Sequence, residues 1–108
     1  MVTDAGSSGL PPGTAQVVVD AQSALSDVLD AVRATLSGDA VILLLQPDVS
    51  AIDRAMIVAA LGPLAIELAP RRVAAVEIVA SASPERIDAA MRYLATAYST
   101  TGQCLQVS

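Results

Sequence analysis

The sequence predicts a three-layer α/β fold in which helices cover both faces of a parallel sheet of about four strands. Short apolar segments alternate along the chain with longer segments of helical periodicity, an order that is typical of a parallel sheet. The segment AVILLL at residues 40–45 is apolar without interruption, as expected for a central strand that is buried on both faces. The same alternation predicts right-handed crossovers between successive strands.

Four short segments rich in valine, leucine or isoleucine are predicted to be the strands of this sheet. They are residues 16–19, 40–45, 73–79 and 103–107. Residues 1–14 are rich in glycine, serine and proline and are predicted to be a flexible N-terminal tail. Residues 15–108 are predicted to be a single domain, since they are numerous enough to form one hydrophobic core.

Three helices are predicted between the strands from the spacing of their apolar residues. They are residues 22–37, 51–69 and 84–98. Ser50, followed three residues later by Asp53, matches the capping pattern at the start of a helix. Gly62 and Pro63 are expected to kink or split the second helix, because proline removes one helical hydrogen bond.

The charged residues argue against several classes of protein. The net charge is −5, and the six basic residues are arginines scattered along the chain apart from one adjacent pair, a poor match for nucleic acid or an anionic membrane. Without histidine the chain has no imidazole base or metal ligand. Without lysine it has neither a Schiff base nor a phosphate-binding P-loop.

The sequence also predicts a cytoplasmic protein. A single cysteine, Cys104, cannot form an internal disulfide, so nothing points to secretion. The N-terminal residues have neither the positive start nor the apolar stretch of a signal peptide. The longest apolar run of helical type, between Arg54 and Glu67, has only twelve residues. A membrane span needs roughly 20 residues, so none is expected.

Two segments resemble the short-chain dehydrogenase/reductase family. The segment ALGPLAIELAPRRVAAVEIVAS, residues 60–81, is similar to the family's long helix and the strand after it. The segment PERIDAAMRYLATAYSTTGQCLQVS, residues 84–108, is similar to the family's last helix and strand. The two segments follow in the family's order. The resemblance implies a Rossmann-like domain that corresponds to the family's C-terminal half.

The departures from the family pattern imply that catalysis is lost. The glycine-rich turn that holds the dinucleotide in the family has no counterpart in this sequence. The resemblance places the family's catalytic tyrosine at Ser50 and its catalytic lysine at Arg54. Serine has no phenol to give up a proton near neutral pH, and arginine is not interchangeable with lysine. We therefore expect no enzymatic activity, no cofactor and no metal.

Several polar residues have both a functional and a structural interpretation. Ser50 and Arg54 could bind a small anion at the start of a helix, although a helix cap and a surface charge are the commoner roles. Arg71 and Arg72 could bind a phosphate or a partner carboxylate, or complement the negative end of a helix. Cys104 is expected to be a buried, inert thiol.

A homo-oligomer is predicted because the helix at 51–69 is apolar on nearly every side. The resemblance implies that this helix and the one at 22–37 form a dimer interface, and that the last helix and strand form a second interface. The expectation is a homodimer, with a tetramer as the alternative. A full-length reductase relative is a further candidate partner. The candidate interface residues are Met56, Ala59, Ala60, Leu64 and Tyr93.

The resemblance also bears on the edges of the sheet. It implies that the retained strands run in sequence order without a reversal, so the usual dinucleotide crevice is not expected. The first strand would become an open edge, which the N-terminal tail, a second subunit or another protein could cover.

The leading functional prediction is a non-catalytic reductase-like domain, a pseudoenzyme that acts through oligomerisation or contact with another protein. Two alternatives stay open. One is a small module that binds an anionic metabolite or nucleotide near Ser50 and Arg54. The other is an NAD(P)-dependent oxidoreductase with an atypical site.

Overall fold

A computed structural model of the chain describes residues 2–5, 13–35, 39–97 and 101–108. These residues form one five-stranded sheet whose spatial order is also the order of the strands along the chain. The strands are β1 (Val2–Ala5), β2 (Thr14–Val19), β3 (Ala40–Leu45), β4 (Arg72–Ile78) and β5 (Gln103–Val107). The four strands from β2 to β5 are parallel, which confirms the predicted parallel sheet, and β1 is antiparallel to β2.

The three predicted helices are present, with ends one or two residues shorter and the largest difference at the start of the first. They are α1 (Leu25–Ala34), α2 (Ala51–Leu68) and α3 (Pro84–Thr96). The first helix begins three residues later than predicted because Asp20 forms a turn. Its carboxylate accepts a hydrogen bond from the backbone N–H of Gln22, at 2.9 Å, and its carbonyl accepts one from Ser23, at 3.1 Å. Leu36 and Ser37, which the prediction placed in this helix, lie outside the described residues, as does Tyr98 at the predicted end of α3.

The core has two apolar layers, one on each face of the sheet, which confirms the three-layer architecture. All six residues of β3 are buried, and their side chains alternate between the layers. Val41, Leu43 and Leu45 pack beneath α1 and α2. Ile42 and Leu44 pack beneath α3.

The connection through α3 corrects the predicted handedness of the crossovers. The parallel strands follow one another in a single direction across the sheet, while α1 and α2 lie on one face and α3 lies on the other. The third crossover is therefore of the opposite hand to the first two, although right-handed crossovers are the general rule. The physical reason is that the second face of β3 and β4 is also apolar, and α3 covers it.

The edge at β2 is covered by the chain itself. Residues 2–5, within the segment predicted to be a flexible tail, form β1 and pair with residues 16–19 of β2. This segment is one of the three covers considered for that edge. Residues 6–12 of the same segment lie outside the described residues.

The long helix α2 continues through Gly62 and Pro63 without being split, contrary to one of the two expectations for this pair. Pro63 has no N–H to donate to the carbonyl of Ala59. Its ring faces solvent, and the buried residues Leu61 and Leu64 hold the helix against the sheet on either side of it. Among the described residues, no helix has the length and hydropathy that are needed to cross a membrane.

Candidate functional site

The polar cluster nearest to the predicted site is centred on Glu77, near the carboxyl end of β4. Its side chain points to the same face of the sheet as Val73 and Ala75, toward α2, and it is 23% exposed. A carboxylate that is this far buried requires charged or hydrogen-bonding partners. Arg54, in the first turn of α2, and Cys104, on β5, supply them.

The guanidinium of Arg54 makes three contacts within the chain. Its Nε donates to the carbonyl of Val49 at 3.2 Å, and its Nη2 donates to the carbonyl of Gln46 at 2.8 Å. Its Nη1 lies 3.5 Å from Oε2 of Glu77, within ion-pair distance. Arg54 is therefore 20% exposed and fastens the turn between β3 and α2 to β4, rather than serving as the surface charge expected from the sequence.

The thiol of Cys104 completes this cluster. Its Sγ donates to Oε1 of Glu77 at 3.2 Å. Burial, together with the hydrogen bond to Glu77 and the charge of that carboxylate, raises the pKa of Cys104 to about 12. The thiol is thus protonated at neutral pH and is a poor nucleophile or metal ligand.

The hydroxyl of Ser50 has a separate role. It is the N-cap of α2, and its Oγ accepts a hydrogen bond from the backbone N–H of Asp53 at 3.1 Å. This confirms the predicted cap. The Ser50 hydroxyl and the Arg54 guanidinium bond to different groups, so the structure does not bring the two side chains together as one site.

A cavity of about 230 Å³ lies beside the cluster, at the carboxyl edge of the sheet. Its lining comes from the ends of β3, β4 and β5 and from the start of α2. The polar side chains in it are those of Arg54, Glu77 and Gln106, with Pro47 and Val79 among the apolar ones. The guanidinium of Arg54 and the carboxylate of Glu77 lie within ion-pair distance of each other in the wall of this cavity.

The part of the chain that the structure describes contains no group of three or more cysteine, aspartate or glutamate side chains placed to hold a metal ion. The order of its parallel strands shows no reversal, so it has no topological switch point of the kind where ligands bind in related sheets.

The two adjacent arginines lie at the opposite, amino edge of the parallel strands. Arg72 donates to the carbonyls of Leu94, Ala95 and Ala97 at 3.0, 2.9 and 3.1 Å, so it complements the negative end of α3, as one of the two interpretations predicted. Arg71 donates to Oγ1 of Thr35 at 3.0 Å, near the end of α1. Both side chains are thus anchored to helix ends within the chain.

The candidate interface residues separate into surface and core. Met56 is 45% exposed and Tyr93 56% exposed, while Ala59 is exposed and Ala60 is half-buried. Leu64 is only 4% exposed and packs against the sheet, so it is a core residue rather than a contact for a partner. Its place on the helix explains the correction, because it follows Leu61 by three residues on the same side.

The fold and the site define a Rossmann-like α/β domain with a neutralised polar cluster at its carboxyl edge. A comparison with protein-family models agrees with this class. The SDR-like family, described as short chain dehydrogenase-like protein, matches residues 12–107. The chain belongs to this SDR-like family. Neither the curated proteins nor the solved structures gave a match to it.

The role of Glu77 and its contact with Cys104 were not predicted from the sequence. One signal was available, because Glu77 is the only acidic residue in the otherwise apolar run from Val73 to Val79. A buried carboxylate in such a strand needs a partner. The sequence did not show which one, because the pairing register that brings β5 beside Glu77 is not visible in the residues themselves.

Proposed function

We propose that the chain is a non-catalytic member of the SDR-like family that acts through protein–protein contact, by pairing its helix α2 with the α2 of a second copy. The observation that carries this proposal is the outer side of α2. It is apolar over almost its whole length and has no partner within the described chain. We call it the α2 face, and it consists of Ile52, Ala55, Met56, Ala59, Gly62 and Ile66.

The α2 face exposes large side chains that a monomer usually covers. Ile52 is 73% exposed, and Ile66 is 82% exposed. Soluble monomers seldom carry a continuous apolar patch along a whole helix, and such patches commonly mark sites of protein–protein contact. The outer side of α1 is different, since Ser26, Asp27 and Asp30 are exposed there. The contact is therefore centred on α2, and α1 lies at its margin.

Two of the charges near the α2 face are paired within the chain. Glu67, at one margin, accepts two hydrogen bonds from the guanidinium of Arg33, at 2.7 and 3.1 Å. Arg54, at the other end, is tied to Glu77 and to backbone carbonyls. Burying the face beside Glu67 and Arg54 would therefore not require either charge to lose its water without a partner.

Small residues on the α2 face suit helix pairing. Ala55, Ala59 and Gly62 follow one another at intervals of four and three residues, the spacing that keeps them on one side of a helix. Their small side chains would let a second helix approach at the shorter end of the usual interaxial distances.

The size of this face also sets an expectation for affinity. The helix has 18 residues and is therefore about 27 Å long, so a pair of α2 helices buries less surface than a standard interface. We therefore expect weak association, in about the micromolar range. A full-length reductase relative is the alternative partner, and it would leave the chain monomeric when alone.

Ser50 and Arg54, which the resemblance aligns with the family's catalytic tyrosine and lysine, support the proposal that the chain is non-catalytic. The hydroxyl of Ser50 caps α2. The guanidinium of Arg54 is held by two carbonyls and a carboxylate. These contacts support a structural role for both groups, which is to fix the position of α2.

Sedimentation equilibrium between about 10 and about 200 µM chain tests the proposal, and the expected result is a concentration-dependent dimer. Met56→Lys should weaken the dimer about tenfold or more, because a charge would have to be buried in the contact. Ser26→Lys places the same charge on the outer side of α1 and should leave the dimer unchanged. A chain that stays monomeric throughout this range would contradict the proposal.

A further inference from the structure

The outer edge of β5 is an open edge of the sheet. β5 is the last strand in the spatial order, whereas β1 covers β2 at the opposite edge. The carbonyl of Val107 accepts a hydrogen bond from the backbone N–H of Val79 at 2.9 Å, so the backbone groups of Val107 point toward β4. Because these groups alternate in direction along a strand, those of Cys104 and Gln106 point away from β4. Among the described residues, no strand pairs with them.

A groove of about 490 Å³ runs along α2 on the side that is turned toward β5. This side is identified by Gly102, directly before β5, because a Cβ atom added there would lie 3.5 Å from the Cβ of Ala65. Ala65 follows Val58 by seven residues and so lies on the same side of the helix. The groove is lined by Ala51, Arg54, Ala55, Val58, Ala59 and Glu77.

Glu77 fixes the position of the groove relative to the open edge. It is paired in register with Gln106, and its carboxylate accepts a hydrogen bond from the thiol of Cys104. The side chains of Cys104 and Gln106 therefore lie on the same face of the sheet as the groove, whereas Leu105 and Val107 pack on the other face with α3. A strand added beside β5 would have the groove directly above it.

The groove and the edge also agree in spacing. Arg54 lies at the level of Glu77, and Val58 is one turn further, about 6 Å along the helix. Cys104 is two residues before Gln106, about 6–7 Å along the strand. Both steps lead from the carboxyl edge of the sheet toward its amino edge. Two alternate side chains of an added strand, opposite Gln106 and Cys104, would thus follow the groove.

We infer that the open edge of β5 and this groove together bind an extended segment of another protein, which adds a strand to the sheet and places large apolar side chains at two alternate positions in the groove. The backbone hydrogen bonds supply affinity, and the groove selects the side chains. This inference goes beyond the proposed pairing of α2 and uses a different side of the helix, although Ala55 and Ala59 border both surfaces.

The lining of the groove selects an apolar segment. Arg54 and Glu77 lie within ion-pair distance at its base, and its other residues are alanine and valine, so an apolar side chain would not leave either charge without a partner. The β5 strand of a second copy is a poor occupant. Paired about a two-fold axis perpendicular to the sheet, it would direct its own Cys104 and Gln106 to this face, and a thiol and a polar amide would not fill the groove.

A synthetic peptide RTLTLTLTR, blocked at both ends, is the probe, because its leucines alternate and its arginines keep it in solution. The chain carries Met56→Lys, which lies outside the groove and weakens the pairing of α2. Fluorescence anisotropy of the labelled peptide should show binding in about the micromolar range. With about nine-tenths of the chain occupied, the backbone N–H groups of Cys104 and Gln106 should exchange with solvent about tenfold more slowly, as measured by NMR.

Two substitutions test the edge and the groove separately. Gln106→Pro removes an N–H that points to the open edge and no hydrogen bond to β4, and it should weaken peptide binding about tenfold or more. Gln106→Ala keeps that N–H and should bind within about twofold of the parent chain. Val58→Asp places a charge in the groove and should also weaken binding about tenfold, whereas Ser26→Asp, on the outer side of α1, should not. Circular dichroism verifies that each variant is folded.

Two control peptides test the choice of occupant under reducing conditions. RTSTSTSTR, without leucines, and TGQCLQVS, which is residues 101–108 of the chain itself, should each bind at least about tenfold more weakly than the probe. Equal binding of TGQCLQVS would mean that the edge accepts a second copy, and the inference would be wrong. It would also be wrong if the probe does not bind at up to about 1 mM, or if Gln106→Pro leaves binding unchanged. Sedimentation of the unmodified chain tests the pairing of α2 independently of these results.

Discussion

Arg72 makes three hydrogen bonds to the end of α3, and its removal is a demanding test of the fold. Its guanidinium donates to three carbonyls at the end of α3, all within 2.9–3.1 Å. These carbonyls belong to the last turn of the helix and its cap, where helical partners are lacking. Arg72→Met keeps much of the aliphatic stem and removes all of these hydrogen bonds.

The expected loss of stability follows from the type of these contacts. A hydrogen bond with one charged partner contributes about 1.5–3 kcal/mol, and acceptors that water can reach in the variant recover part of that loss. Since the side chain is only partly buried, we expect Arg72→Met to lower the free energy of unfolding by about 3 kcal/mol. Arg72→Lys should cost about half as much, because a single ammonium group cannot span all three carbonyls.

Urea unfolding followed by circular dichroism measures this difference at one chain concentration for all variants. Arg92→Met is the matched control, because Arg92 is an exposed arginine on α3 itself. It should change the free energy of unfolding by less than about 0.5 kcal/mol. An Arg72→Met variant that unfolds within about 1 kcal/mol of the natural sequence would refute the reasoning, since it would mean that water replaces these contacts without a penalty.

Two further predictions concern titratable groups. Cys104 should react slowly with a disulfide reagent at pH 7–8 and faster as the pH approaches its pKa of about 12, while Glu77→Gln should speed the reaction by removing the nearby charge; equal rates in both chains would contradict this. The hydrogen bond from Arg33, together with its charge, lowers the pKa of Glu67. The stabilisation from this pair should therefore be present above about pH 4.5 and disappear as the pH falls through the lowered pKa. Glu67→Gln should lose less stability over that acid range in urea titrations, and an identical acid profile would argue against the pair.

The strands could be predicted from sequence because their signal is local. The apolar run at 40–45 coincides with β3 at both ends, and the valine-rich segment at 16–19 lies within β2. Burial of both faces leaves an uninterrupted apolar pattern that any window of residues reveals. β1 has no such signal, because a short antiparallel edge strand depends on the neighbour that it pairs with rather than on its own residues.

Contacts between distant residues could not be predicted in the same way. The periodicity of α3 shows which of its residues are buried, but it does not show which face of the sheet buries them, so the hand of the third crossover was missed. The cluster of Arg54, Glu77 and Cys104 joins three elements that are up to 50 residues apart in the chain. It depends on sheet register and on the position of α2, and neither is visible in a local pattern.

The site and the proposed interface meet in the way that α2 is held. Ser50 caps its first turn, Arg54 fastens that turn to Glu77, and Glu67 is clamped to Arg33 near the last turn. A helix that is fixed at both ends loses little conformational freedom when a partner binds, so even a contact of modest area can be stable. The positions that the family resemblance associates with catalysis therefore have a structural use here, which is to hold the α2 face in place. On this argument, releasing Arg54 from Glu77 would weaken self-association without changing any residue of that face.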